Sequence, residues 1–208
     1  APSSACARMF LTVAEVLPSV VADVRGADGV YSVNIAHADR IEPVQVGPVA
    51  IDNPAVVEDR ERLIAAVAAA EEIATAVPSV RYYAGPGPDS LHRILAEGLR
   101  RKAAAGGPRA VLYAAENTNN AASILAEHVL AEIPASEHGA VLAQVRFLDT
   151  VIAKMCGVHG DASDLAPITP GGRRAFLVEA FNRILISHID FGAGAPYQRG
   201  ITVFEEKP

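Results

Sequence analysis

The chain has 208 residues, half of them apolar and a fifth charged, with a net charge of −6. That length suits one large domain. The acidity excludes a polyanion-binding surface, which needs clustered Lys and Arg, and no run approaches the ~20 apolar residues of a membrane span. Cys6 and Cys156 show no paired spacing, and no signal-peptide pattern opens the sequence, so a reducing, cytoplasmic setting is expected.

In chain order, Val20–Val24 reads as a short buried strand punctuated by Pro18 and Gly26. Residues 30–36 and 41–51 alternate like strands and predict a hairpin around Ala38-Asp39-Arg40, with Gly47 and Pro48 marking a bend. From Pro54 the period becomes helical: Val56, Leu63, Ile64 and Val67 share a face, with Asp52 or Asn53 as the cap. Residues 73–77 read as a buried strand stopped by Pro78. A helix follows over 89–105, ended by Gly106-Gly107, with Arg100-Arg101-Lys102 as its solvated end.

Residues 109–115 form the next predicted strand. A helix then starts at Asn119 or Asn120 and closes at Pro134, and 145–148 is a further strand. Residues 156–174 read as a long loop and 176–187 as strand-like. The predicted class is α/β, a Rossmann-like, mainly parallel sheet with helices on both faces. The expected organisation is a nucleotide-binding domain over 1–189 and an extended tail or linker over 190–208, leading toward an absent second domain.

Ligands of an open parallel sheet bind outside the carboxyl ends of the strands. Three such ends carry suitable residues. Asp23, followed by Arg25, could accept a ribose diol or cover adenine or a 2′-phosphate; a turn-forming Asp is the alternative. Thr75, Ala76 and Val77 are small enough to admit a dinucleotide, or are plain core. Glu116-Asn117-Thr118-Asn119-Asn120 stands between an apolar strand and an apolar helix, and an Asn amide there can donate to an oxygen that becomes an alkoxide. Asp23 and Asn117 are expected to share one mouth. Cys156, His159 and Asp161 lack the spacing of a zinc site, so no metal is expected. Neither Ser163 nor Ser187 near His188 sits on a nucleophile elbow.

The segment AAENTNN with its helix resembles the Ala-Cys-Glu-Asn segment of mannitol-1-phosphate 5-dehydrogenases and related long-chain polyol dehydrogenases. VRFLDTVIAKM, FLVEAFNRILIS and PYQRGITVFEEKP resemble their following segments, and VVADV, YSVNI and EIATAV fall in the family's order. The resemblance implies a zinc-independent enzyme that binds NAD(H), sometimes NADP(H), and transfers hydride from a polyol or sugar phosphate. It places Asp23 at the adenosine ribose, Thr75, Ala76 and Val77 along the dinucleotide, and Asn117 at the nicotinamide. Glu116 and Asp149 would be polar supports.

Departures accompany it. No G-x-G-x-x-G occurs, Pro78 stands where the family tends to have glycine, and Ala153-Lys154 replace an Asp-Arg pair. The family's catalytic lysine belongs to a second domain that this sequence does not reach, so the chain is expected not to catalyse alone. The alternatives are a non-catalytic, repurposed Rossmann-like protein serving as partner subunit or small-molecule binder, and a divergent enzyme using Glu116, Asn117, Asp149 and Lys154. Self-association through the edge left by a missing domain is expected.

Overall fold

The computed structural model describes residues 10–160, 164–181, 183–192, 196–201 and 203–207. The fold is α/β, with parallel strands joined by helices. It opens with β1 (Thr12–Ala14) and α1 (Pro18–Gly26). The predicted strand at Val20–Val24 is therefore a helix. Pro18 occupies its first turn, where no N–H is needed, so Pro18 starts this element instead of punctuating a strand. Val21 and Val24, three apart, are buried against Val13, Val49 and Ile51, while Ala22 and Asp23 face outward.

The hairpin forms as expected: β2 (Tyr31–Ala36) pairs antiparallel with β3 (Ile41–Val46). At Gly47, φ is +126° and an added Cβ would lie 2.5 Å from the Gly29 carbonyl oxygen, so glycine is required there. The break releases β4 (Ala50–Asp52), which leaves the hairpin and pairs parallel with β1, Val13 beside Ile51. α2 (Val57–Ala69) starts beyond a turn in which the Asn53 Oδ1 accepts from the Ala55 amide at 2.9 Å.

Next come β5 (Glu72–Thr75) and α3 (Leu91–Ala104), both near their predicted places, with an unpredicted 3-10 turn at Val80–Tyr82 between them. Lys102, predicted to be solvated, is buried, and its Nζ donates to the carbonyls of Ala70 and Pro108. β6 (Ala110–Ala114) leads to α4 (Ala121–Ala131), whose N-cap Asn120 has φ of 60°, a conformation asparagine tolerates. α5 (His138–Gln144) had no clear signal in the sequence; it is two turns long and contains Gly139. β7 (Val145–Ile152) runs four residues past its predicted end. β8 (Cys156–His159), within the predicted loop, pairs antiparallel with β9 (Ala175–Glu179). β10 (Ile184–Ile186) and β11 (Phe204–Glu206) complete the set.

Among the described residues the strands form three sheets: β1-β4, β11-β10-β7-β6-β5 and β3-β2-β9-β8. In the five-stranded sheet β5, β6 and β7 are parallel. Its β6 strand has the period of two: Ala110 and Leu112 pack under α3, α4 and α5, whereas Val111 and Tyr113 pack under Ile186, Tyr197, Ile201 and Phe204. The described residues of the tail beyond Asp190 form one layer of this core.

Where α3 meets α4, His92 is 5% exposed. Its Nε2 lies 3.2 Å from Glu132, with Arg93 and His128 also alongside. Its Nδ1 has no hydrogen-bond partner among the described residues. Burial holds the imidazole below its ordinary value of 6.5, and Glu132 only partly opposes this. A depressed folded value means the unfolded chain binds more protons. The stabilisation is therefore full above 6.5 and is lost as pH falls through the folded value. Urea midpoints should decline from pH 7.5 to 5.5, and His92→Gln should flatten the decline; an unchanged slope would refute the assignment.

Candidate functional site

The carboxyl ends of β5 and β6 meet in a buried polar knot. Thr75, the last residue of β5, and Glu116, two residues past β6, are 3% and 5% exposed. The Glu116 carboxylate accepts from the Thr75 hydroxyl at 2.8 Å, from the Val77 amide at 2.8 Å and from the Tyr83 hydroxyl. Burial first, then the Glu116 carboxylate, push the Tyr83 hydroxyl well above the usual tyrosine range. Tyr83 in turn packs in the main core, and Val80 packs against Ala114, Ala121 and Ala122. Glu116 thereby staples the segment after β5 to the loop after β6. With three donors on it, this carboxylate positions the loops and is poorly placed to act as a base.

Glu116 faces inward and its neighbour Asn117 outward. Asn117 is exposed, and its Nδ2 donates to the Ile152 carbonyl at 3.3 Å, so it reaches the carboxyl end of β7. One amide hydrogen remains for another acceptor. Asp149, on β7, accepts from the Ala122 amide at 2.9 Å and so caps the start of α4; it belongs to the loop scaffold. Lys154 follows β7 by two residues and is half-buried. Ala76 is exposed beside Thr75, and Val77 is half-buried. Five of the proposed residues, Thr75, Ala76, Val77, Glu116 and Asn117, therefore gather at one end of the sheet, with Asp149 and Lys154 on the adjacent strand and its exit.

Asp23 and Arg25 do not join them as predicted. Asp23 lies on α1, not at a strand end. It borders a crevice of about 30 Å³ with Ile168, Thr169 and Arg174, too small for a nucleotide. Arg25 is engaged within the protein: its Nη2 donates to Asp52 and Asp59 at 2.7 Å each and its Nε to the Ile51 carbonyl at 2.9 Å. Arg62 bonds both aspartates as well. Burial alone would raise the Asp59 carboxyl, but the Asn53 amide and Arg25 outweigh it and hold it below the usual range. This four-membered network locks α1, β4 and α2 together.

The strand-end acid that sequence reasoning missed is Glu15. It follows β1 directly and is half-exposed, with Oε1 accepting from the Leu17 amide at 2.8 Å. Among the described residues its second oxygen has no donor. Two signals pointed to it: the alternation in Leu11-Thr12-Val13-Ala14, and Pro18 as the start of a helix just beyond. Cys6 lies outside the described residues, as do Asp161 and Ser163.

No protein-family model and no curated sequence matches this chain. Among solved structures, D-sorbitol dehydrogenase in its substrate-free form is similar, with a TM-score of 0.67 at 11% identity, over 90% of this chain and 46% of that one. The chain thus spans less than half the length of that structure. The likeness is one of fold: the α/β arrangement of this chain is shared with that structure.

Proposed function

We propose that this chain is the cofactor-binding part of a nicotinamide-dependent dehydrogenase acting on a polyol or polyol phosphate, related to the mannitol-1-phosphate type. One observation carries the reading. The carboxyl ends of β5 and β6 present a small exposed residue and an exposed amide with a spare donor, Ala76 and Asn117, and the end of β1, in the two-stranded sheet, presents Glu15 with one carboxylate oxygen free of donors among the described residues. These are the groups a dinucleotide needs from a sheet edge: an acceptor for the ribose diol, room along the strand end, and a donor at the reacting oxygen. The shared fold with a D-sorbitol dehydrogenase supports it.

Glu15 would accept the ribose hydroxyls in place of Asp23. Thr75, Ala76 and Val77 would line the cofactor, their backbone held by Glu116. Asn117 would steady an alkoxide, and Lys154 is the cationic group on the same side. A bound nicotinamide supplies the hydride acceptor. NAD is expected over NADP, because an acid at the ribose repels a 2′-phosphate and Arg25 is already engaged.

The chain has no tryptophan, so NADH fluorescence can be followed against a quiet background. NADH should bind with a Kd below roughly 1 mM, and Glu15→Gln should weaken it about tenfold, close to 1.4 kcal/mol. No binding of NADH or NADPH at several millimolar would sink the proposal.

A further inference from the structure

The four-stranded sheet β3-β2-β9-β8 has two unlike faces. Residues paired across neighbouring strands point to the same face. Val33 pairs with Val44 on one side and with Phe176 on the other, Ile35 with Val178, and Phe176 with Val158. These six therefore share a face, which runs from β3 to β8. The alternate residues Asn34 and Ala175 point the opposite way and are 1% and 0% exposed. The Asn34 side chain exchanges hydrogen bonds with the Ala166 backbone at 2.9 and 3.0 Å, so the segment leading into β9 covers that side.

The usual pattern is thereby inverted. A sheet with one face on the core and one in water normally alternates apolar-in and polar-out. Here the hydrogen-bonded Asn34 lies inward, and valine, isoleucine and phenylalanine point outward. None of the six is buried, and Val158 is 60% exposed. None belongs to the apolar clusters that join strands to helices. The cluster under α1 reaches this face at Tyr31, whose ring stands edge-on to Phe176 with 6.2 Å between centroids. Beyond Tyr31 the face has no such cover among the described residues.

We propose that this face is the contact between two copies of the chain, packed sheet on sheet about a two-fold axis. Charge singles out a second copy. Glu42, opposite Ile35, is the charged residue at the margin, and it lies 3.1 Å from His37 and 3.3 Å from Arg40. Charge complementarity is what selects a different partner, and this surface offers none. A flat apolar surface fits its own image, as an isologous contact requires. Size sets the strength. Strands of four to six residues, at ~3.3 Å per residue and ~4.8 Å apart, give a footprint of roughly 19 by 17 Å. With side-chain relief two such faces bury about 800–1,000 Å² in all, the range of weak, reversible complexes. A Kd on the order of 10–100 µM follows. The face lies on a different sheet from Glu116 and Asn117, so this contact stands or falls independently of the cofactor reading.

Sedimentation velocity of the chain between about 1 and 500 µM tests this. It should run as a monomer at the low end and as a dimer at the high end. No larger species should form, because a two-fold contact closes on itself. Val33→Lys, on the inner strand β2, and Val158→Lys, on the edge strand β8, should each raise the dimer Kd at least about tenfold. Their circular dichroism spectra should match the parent. Val158 is exposed, so its replacement spares the fold and keeps the test valid should Val33→Lys fail to fold. A chain that stays monomeric throughout would overturn the proposal and leave the face to a different partner. A dimer indifferent to both lysines would overturn it too, because the contact would then lie elsewhere, and so would open-ended aggregation.

Discussion

Phe204→Ala should destabilise the protein by about 3–4 kcal/mol, and truncation after Ile189 should leave a chain that aggregates or fails to fold. Phe204 is 7% exposed and its ring lies 4.1 Å from that of Tyr113, centroid to centroid. β11 pairs parallel with β10, Ile184 beside Phe204. Further along, Glu72 accepts from the Tyr113 hydroxyl at 2.8 Å and from the Ile201 amide at 2.9 Å, and the Tyr197 hydroxyl donates to the Glu71 carbonyl. Without these residues Val111 and Tyr113 of β6, a strand otherwise fully enclosed, and Leu148 of β7 lose part of their apolar cover. For a chain of this length the Phe204→Ala loss lowers Tm by about 10 °C. Thermal and urea unfolding read the first effect. A truncated form that is soluble, with the native circular dichroism spectrum, would show that the tail is dispensable.

The second large effect is at Glu116. Glu116→Ala removes the acceptor of three donors in a dry place, leaving the Thr75 hydroxyl, the Val77 amide and the Tyr83 hydroxyl without partners. Each orphaned donor costs about 1–3 kcal/mol, reduced where relaxation admits water, so a total of about 3–5 kcal/mol is expected. Glu116→Gln keeps one acceptor oxygen and should cost about 1–2 kcal/mol. Tyr83→Phe in the Glu116→Ala background removes one orphan and should return part of the loss, a coupling that a double-mutant cycle measures. A Glu116→Ala midpoint within 1 kcal/mol of the parent would mean that the staple does not hold these loops.

Much of the architecture was legible along the chain. The elements from α2 to α4 alternate helix and strand with clear punctuation: Pro54, Gly106-Gly107 and Asn120 mark ends by local backbone chemistry, which needs no distant partner. The polar run after β6 also stood out, because five polar residues between apolar elements have no purely local explanation. Where reading failed, the deciding term was non-local. A five-residue apolar run at Val20–Val24 fits a strand or a helix face equally well, and only packing on Ile51 and Val49 selects the helix. That one choice moved the acid at the strand end from Asp23 to Glu15.

The residues by themselves determined the alternation of elements, and hence the α/β class, because hydrophobic period and capping act over a few neighbours. Tertiary structure alone decided which polar groups are occupied and which are free. Glu116 and Asn117 are adjacent in sequence, yet one is buried under three donors and the other keeps a donor at the surface. Arg25 likewise is bound by aspartates 27 and 34 residues away. Such pairings, like the docking of the tail on Tyr113, depend on burial and distance across the fold, which no local pattern encodes.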